Sequence, residues 1–205
     1  MTVRIKVCGI THPDDAAAAV DAGVDLIGLN FVPGSPRALT IERAEKIAER
    51  VAGQIERVAV FANAPLDQIL KVLRRVDLER VQFHGDETEE DIEMVDLPVI
   101  KAVRGADMEA AEQFPSAILL LDHPTEGGGR GKAWDWSEAS GLIAAGTDVI
   151  LAGGLTPENV AQALEGVGDV LPWGVDVATG VDGASFRKDP AKIAAFVKAV
   201  REASK

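Results

Sequence analysis

The chain has 205 residues, 47% of them hydrophobic and 26% charged, enough for one domain with a substantial core. Its formal net charge of −12 leaves no basic stripe for nucleic acid, although a few backbone amides and one arginine can still build a local anion site. No apolar run reaches the ~20 residues of a membrane-spanning helix, and a single cysteine excludes an intrachain disulfide.

The first eight residues interleave charge with apolar side chains and carry no apolar signal run, so the expected address is the cytoplasm. Residues 3–7 and 24–31 read as strands. A helix follows, with Ile41, Ala44, Ile47, Ala48 and Val51 on one face. Residues 58–61 form the third strand, and Leu66, Ile69, Leu70 and Leu73 mark the next helix. Further strands are predicted over 80–83, 99–103, 118–121, 149–151 and 170–177. The last helix shows Ile193, Phe196, Val197 and Val200 together. Asp14, Thr40, Thr156-Pro157 and Asp189-Pro190 carry the chemistry of helix starts. Stretches such as 117–121 are continuously apolar, as befits a strand covered on both faces.

Eight strands alternating with helices leave about 26 residues per unit, close to the smallest size of an α/β (β/α)8 TIM barrel. An open doubly wound sheet usually has fewer strands, and the first strand–helix turn here lacks G-x-G-x-x-G. No linker or low-complexity tract divides the chain, so residues 1–205 read as a single domain.

In such a barrel the site lies at the C-terminal ends of the strands. If Val3, Ile5 and Val7 face the helices, Arg4, Lys6 and Cys8 face the interior; Ile118, Leu120 and Asp122 do so on strand six. Cys8 reads either as a small buried hydrophobe or as a thiolate base. Asp122 reads either as a loop cap or, after five apolar residues, as a carboxylic acid with a raised pKa. Together they would form a proton-transfer pair across the barrel mouth.

Gly153-Gly154 after strand seven and Ala178-Thr179-Gly180 after strand eight occupy the two loops that bind phosphate in this fold. Arg37, on a loop stiffened by Pro33 and Pro36, suits either a ligand carboxylate or a surface ion pair. Lys6 and Asp176 are expected to pair across the first and last strands, with Asp176 also in reach of a ligand hydroxyl. Gln82 and His84 line the site by parity. The glycine-rich loop 126–132 reads as a lid or as a flexible surface loop, and it lacks the G-K-[ST] ending of a Walker A loop.

With these residues in place, the chain resembles the phosphoribosylanthranilate isomerase family. The matching stretches include Lys6-Val7-Cys8-Gly9-Ile10-Thr11, Gly34-Ser35-Pro36-Arg37, Gln82-Phe83-His84-Gly85 and Leu120-Leu121-Asp122. Gly153-Gly154-Leu155-Thr156-Pro157-Glu158-Asn159 and Gly174-Val175-Asp176-Val177 extend the likeness along nearly the whole chain. The resemblance implies Cys8 as general base, Asp122 as general acid and Arg37 on an anthranilate carboxylate, with the loops after strands seven and eight on a ribose 5-phosphate. It implies an Amadori rearrangement without metal or organic cofactor, a phosphosugar–anthranilate substrate, and a monomer or homodimer. Asn30, Arg130 and Thr179 depart from the commonest family pattern. A phosphosugar isomerase of histidine biosynthesis and a non-catalytic phosphate-binding barrel are the alternatives; the former resembles a duplicated half-barrel with aspartate where Cys8 stands.

Overall fold

Eight parallel strands pair in chain order, and the last pairs back with the first to close a barrel. The computed structural model describes residues 2–124 and 133–205. The strands are β1 (Arg4–Cys8), β2 (Leu26–Asn30), β3 (Glu56–Phe61), β4 (Arg80–Phe83), β5 (Val99–Arg104), β6 (Ile118–Asp122), β7 (Val149–Leu151) and β8 (Gly174–Val177). Between and after them run α1 (Pro13–Ala22), α2 (Ile41–Arg50), α3 (Leu66–Leu73), α4 (Glu89–Glu93), α5 (Met108–Gln113), α6 (Ser140–Ala144), α7 (Val160–Gly166) and α8 (Pro190–Ala203). The chain therefore folds as the expected (β/α)8 barrel.

Two apolar layers follow from side-chain alternation along each strand. Inside the barrel, Leu26, Val58, Ile100, Ile118, Leu120 and Ile150 pack together. Outside it, Ile5, Val7, Ile27, Phe61, Leu119 and Val175 meet the helices. A strand buried on both faces has no polar position to spare until its end, which is why 118–121 reads as unbroken hydrophobe. Among the described residues no helix is long and apolar enough to cross a membrane.

The N-terminal end of the barrel is plugged. Arg4 and Arg80 donate to the two oxygens of Glu56 at 2.6 and 2.7 Å. Both guanidinium groups also lie over the Trp173 ring, 4.7 and 5.5 Å from its centroid. With that end filled, a ligand must enter from the other.

Local signals set most boundaries. Thr40 and Asp189 cap α2 and α8 as their sequence suggests. At α1 the cap is instead His12, whose Nδ1 accepts from the Asp14 amide at 3.1 Å, with Pro13 opening the helix. Helix α7 begins only at Val160, because Asn159 accepts from the Thr156 amide and donates to the Gly154 carbonyl, holding Thr156-Pro157 in a turn. Strand β8 begins at Gly174 rather than at residue 170. Val170 is exposed, and Pro172 has no N–H to give a ladder. Gly174 itself permits closure: a Cβ there would lie 2.8 Å from the Arg4 carbonyl oxygen.

Phe61 at the end of β3 is fully buried and stacks on Phe31 with 5.4 Å between ring centroids. Phe61→Ala should cost about 3–5 kcal/mol of stability. Urea unfolding followed by far-UV circular dichroism checks this; a loss below about 1 kcal/mol would show that the layer collapses to fill the space.

Candidate active site

The C-terminal ends of the strands surround a cavity of about 780 Å³. Cys8, Arg37, His84, Asp122, Gly153, Gly154, Asp176, Ala178, Thr179 and Gly180 all line it, so the fold brings together every site residue proposed from the sequence. The glycine-rich segment 126–132 lies outside the described residues.

Cys8 ends β1 opposite Gly28 of β2. A Cβ at Gly28 would lie 2.6 Å from the thiol sulfur, so the neighbouring strand must be bare at this point for the thiol to stand where it does. Burial pushes the Cys8 thiol above its ordinary pKa; the charges of Lys6 and Lys188 pull the other way, and Asp176 adds to the rise. Lys6 is buried in the barrel interior and donates to Asp176 at 2.9 Å. Burial alone would lower the Lys6 pKa, but Asp176 and Cys8 hold it above the usual value. The pair thus keeps a cation beside the thiol at the closure seam.

Asp122 ends β6 and is nearly buried. One oxygen accepts from the His123 amide at 2.8 Å, and the other lies 3.2 Å from His84 Nε2. Gln82 Nε2 sits 3.0 Å from His84 Nδ1. With the Gln82 amide donating there, His84 carries its proton on Nε2 and presents it to Asp122; the tautomer follows from these partners. The strand end bearing His84 is braced by Glu87. Its carboxylate accepts from the Asn63 amide at 2.6 Å, the Gly85 amide at 2.9 Å and buried Lys101 at 3.0 Å.

After the neighbouring strand β7, Gly153 and Gly154 both have left-handed φ, 75° and 80°. A Cβ on Gly153 would meet the His123 amide nitrogen at 2.7 Å, and one on Gly180 would meet the Leu155 carbonyl oxygen at 2.1 Å. Glycine is therefore needed twice over, for backbone angle and for close approach of the loops after β6, β7 and β8. A 3₁₀ turn over Thr179–Val181 follows β8 at this rim. Trp134 and Trp136 both donate from Nε1 to the Ala152 carbonyl, at 3.0 and 2.8 Å, fixing the chain after residue 132 to the end of β7.

Arg37 reaches the cavity from the loop after β2. Asn30 organises that loop, accepting from the Val32 amide at 2.7 Å and donating to Ser35 Oγ at 3.3 Å. The arginine is largely buried and lies across Gly9, where a Cβ would come within 2.4 Å of its Cδ. Its Nη2 donates to Asp182 and approaches Thr179 Oγ1 at 3.5 Å, while Nε has no hydrogen-bond partner among the described residues. Asp182 also accepts from Lys188 Nζ at 2.6 Å, and that ammonium donates to the Ala178 carbonyl at 2.8 Å. Asp182 and Lys188 were not legible as site residues, because their stretch reads simply as a polar loop before the last helix.

The family model for N-(5'phosphoribosyl)anthranilate (PRA) isomerase matches residues 5–199. The chain belongs to this isomerase family. An N-(5'-phosphoribosyl)anthranilate isomerase of Neisseria meningitidis serogroup C is 43% identical over 212 residues, covering 99% of each chain. The crystal structure of the Thermotoga maritima phosphoribosyl anthranilate isomerase superposes with a TM-score of 0.88 at 36% identity, covering 98% of this chain and 100% of that one. Another family member, 34% identical with a TM-score of 0.86 over 98% of this chain and 100% of its own, was solved in complex with reduced 1-(o-carboxyphenylamino)-1-deoxyribulose 5-phosphate. Membership thus spans the strands that carry Cys8, Asp122 and both glycine loops.

In this family member, Lys188 is one of two cations whose charge favours the Cys8 thiolate. Burial lowers the pKa of Lys188 itself, against the pull of Asp182. Lys188→Met removes a positive charge, so the thiolate fraction at a given pH should fall and the pH midpoint of Cys8 alkylation by iodoacetamide should rise. Cys8 is the only cysteine, which makes the readout specific. An unchanged midpoint would remove Lys188 from the electrostatics of the thiol.

Proposed function

We propose that the chain is an aldose–ketose isomerase that converts N-(5-phosphoribosyl)anthranilate into 1-(2-carboxyphenylamino)-1-deoxyribulose 5-phosphate in tryptophan biosynthesis. The observation that carries this reading is that a thiol on β1 and a carboxyl group on β6 line one cavity, within a chain that matches the isomerase family almost end to end. A relative's complex with a reduced form of the product supports the same substrate class.

In the proposed reaction the phosphate lies against the glycine loops after β7 and β8, where backbone amides donate to anionic oxygens. Arg37, from the loop after β2, takes the anthranilate carboxylate. Asp122 gives a proton to the furanose ring oxygen as the C1–O bond breaks, and the nitrogen lone pair closes a C=N bond. Cys8 thiolate then removes the C2 proton. The C–H electron pair becomes a C1–C2 double bond while the C=N electrons return to nitrogen, giving an enolamine. Loss of the enol proton and protonation of C1 yield the ketose. Atoms and charge balance without an external co-reactant, because the iminium is itself the electron sink. His84 orients Asp122, and Gln82 orients His84. All these groups come from one chain.

The base gives the pH profile its rising limb. The thiolate is the active form of a base, and burial holds its pKa high, so kcat/KM should rise with pH as the thiolate fraction grows. Freshly made phosphoribosylanthranilate, followed by fluorescence loss, reports the reaction directly. Cys8→Ala should lower kcat/KM by at least ~10²-fold and flatten the rise; Asp122→Asn should lose as much. An inactive wild type would sink the substrate assignment. Equal activity in either variant would remove that residue from the mechanism.

A further inference from the structure

Residues 182–188, after β8, make a small hairpin closed by an antiparallel bridge between Asp182 and Lys188. The Gly183 amide donates to the Arg187 carbonyl at 2.8 Å, and the Arg187 amide donates to the Ala184 carbonyl at 3.1 Å. Its base is pinned on both sides. Lys188 holds Ala178 and Asp182, while Arg187 Nε lies 2.9 Å from Asp15, a buried carboxylate on α1.

At the tip, Ser185 and Phe186 both take left-handed backbone angles, with φ of 55° and 58°. That conformation is rare for a bulky side chain, and glycine would relieve it. Phe186 is also 47% exposed, one of few large apolar residues so open among the described residues. Neither the strain nor the exposure serves stability. A pinned hairpin that holds a strained, exposed aromatic side chain at a cavity mouth points to a ligand-facing role.

The surroundings specify the ligand. Phe186 lines the cavity, and the Arg37 guanidinium carbon lies 5.2 Å from its ring centroid. A cation and an apolar face therefore stand side by side in the cavity lining. An ortho-aminobenzoate presents the complement, a flat apolar ring with a carboxylate in its plane. We propose that Phe186 is a specificity-determining residue: its ring is the wall against which the substrate's aryl group lies while Arg37 takes the carboxylate. The same ring covers one face of the guanidinium, leaving the in-plane N–H groups for the anion. The assignment rests on the reaction proposed above.

Steady-state kinetics of Phe186→Gly and Phe186→Tyr with phosphoribosylanthranilate test it, with inorganic phosphate as a competitive inhibitor. Phe186→Gly relieves the backbone strain, so folding is not at risk. It should raise KM about 10-fold while kcat changes less than about 3-fold, since the wall binds ground and transition states alike. Phosphate inhibition should be unaltered, and Phe186→Tyr should keep KM within about 3-fold of wild type. An unchanged KM in the glycine variant overturns the proposal, as does weaker phosphate inhibition in step with KM, which would mean general damage to the loop. A wild type that turns over its substrate in those cases leaves the reaction standing. A wild type without turnover overturns both.

Discussion

Closure of the parallel ladder between β8 and β1 is the constraint on which every other placement depends. It sets Lys6 against Asp176 in register, and that pair is the charged group that the barrel interior holds beside the reactive end. A lysine in so apolar a setting is tolerable only with its counter-ion fixed alongside. The same closure carries the loop after β8 next to the first strand end, so that Ala178, Thr179 and Gly180 join Cys8 around one cavity.

The two ends of the barrel divide the work. At the N-terminal end, Glu56 and Trp173 gather Arg4 and Arg80 into a polar plug. At the C-terminal end the polar groups are only partly satisfied by one another. Arg37 keeps a buried Nε without a partner among the described residues, and Gln82 keeps its carbonyl oxygen so. Buried donors and acceptors in that state are costly, and a site tuned to a polar ligand is where such a cost is repaid. Asp182 is the hub of this end. It accepts from both Arg37 and Lys188 and so ties the proposed carboxylate clamp to a cation that also faces the thiol.

Much of this was legible beforehand. The strand count, the inward parity of Lys6, Cys8 and Asp122, and the paired glycine loops all follow from local pattern, because in a parallel barrel each strand is sealed on both faces and only its end can be polar. Boundaries were less legible where two signals compete. The apolar start of 170–177 looks like strand, yet Pro172 denies it a ladder bond until Gly174. Asp14 looks like a cap, yet His12 with Pro13 takes that place.

Architecture and strand-end chemistry are written in local pattern, since both rest on short-range periodicity and on residue types at fixed offsets. What surrounds them comes from contacts made across the closed barrel. Lys188 faces Cys8 across 180 positions of chain, Asp182 bridges two cations, and Phe186 covers an arginine from a different loop. Apart from Asp182 and Lys188, six residues apart in one hairpin, these partners are distant in sequence, and each residue alone looks like ordinary loop. Ring closure brings the eight loops to one mouth, and contacts made by closure have no local signature to read.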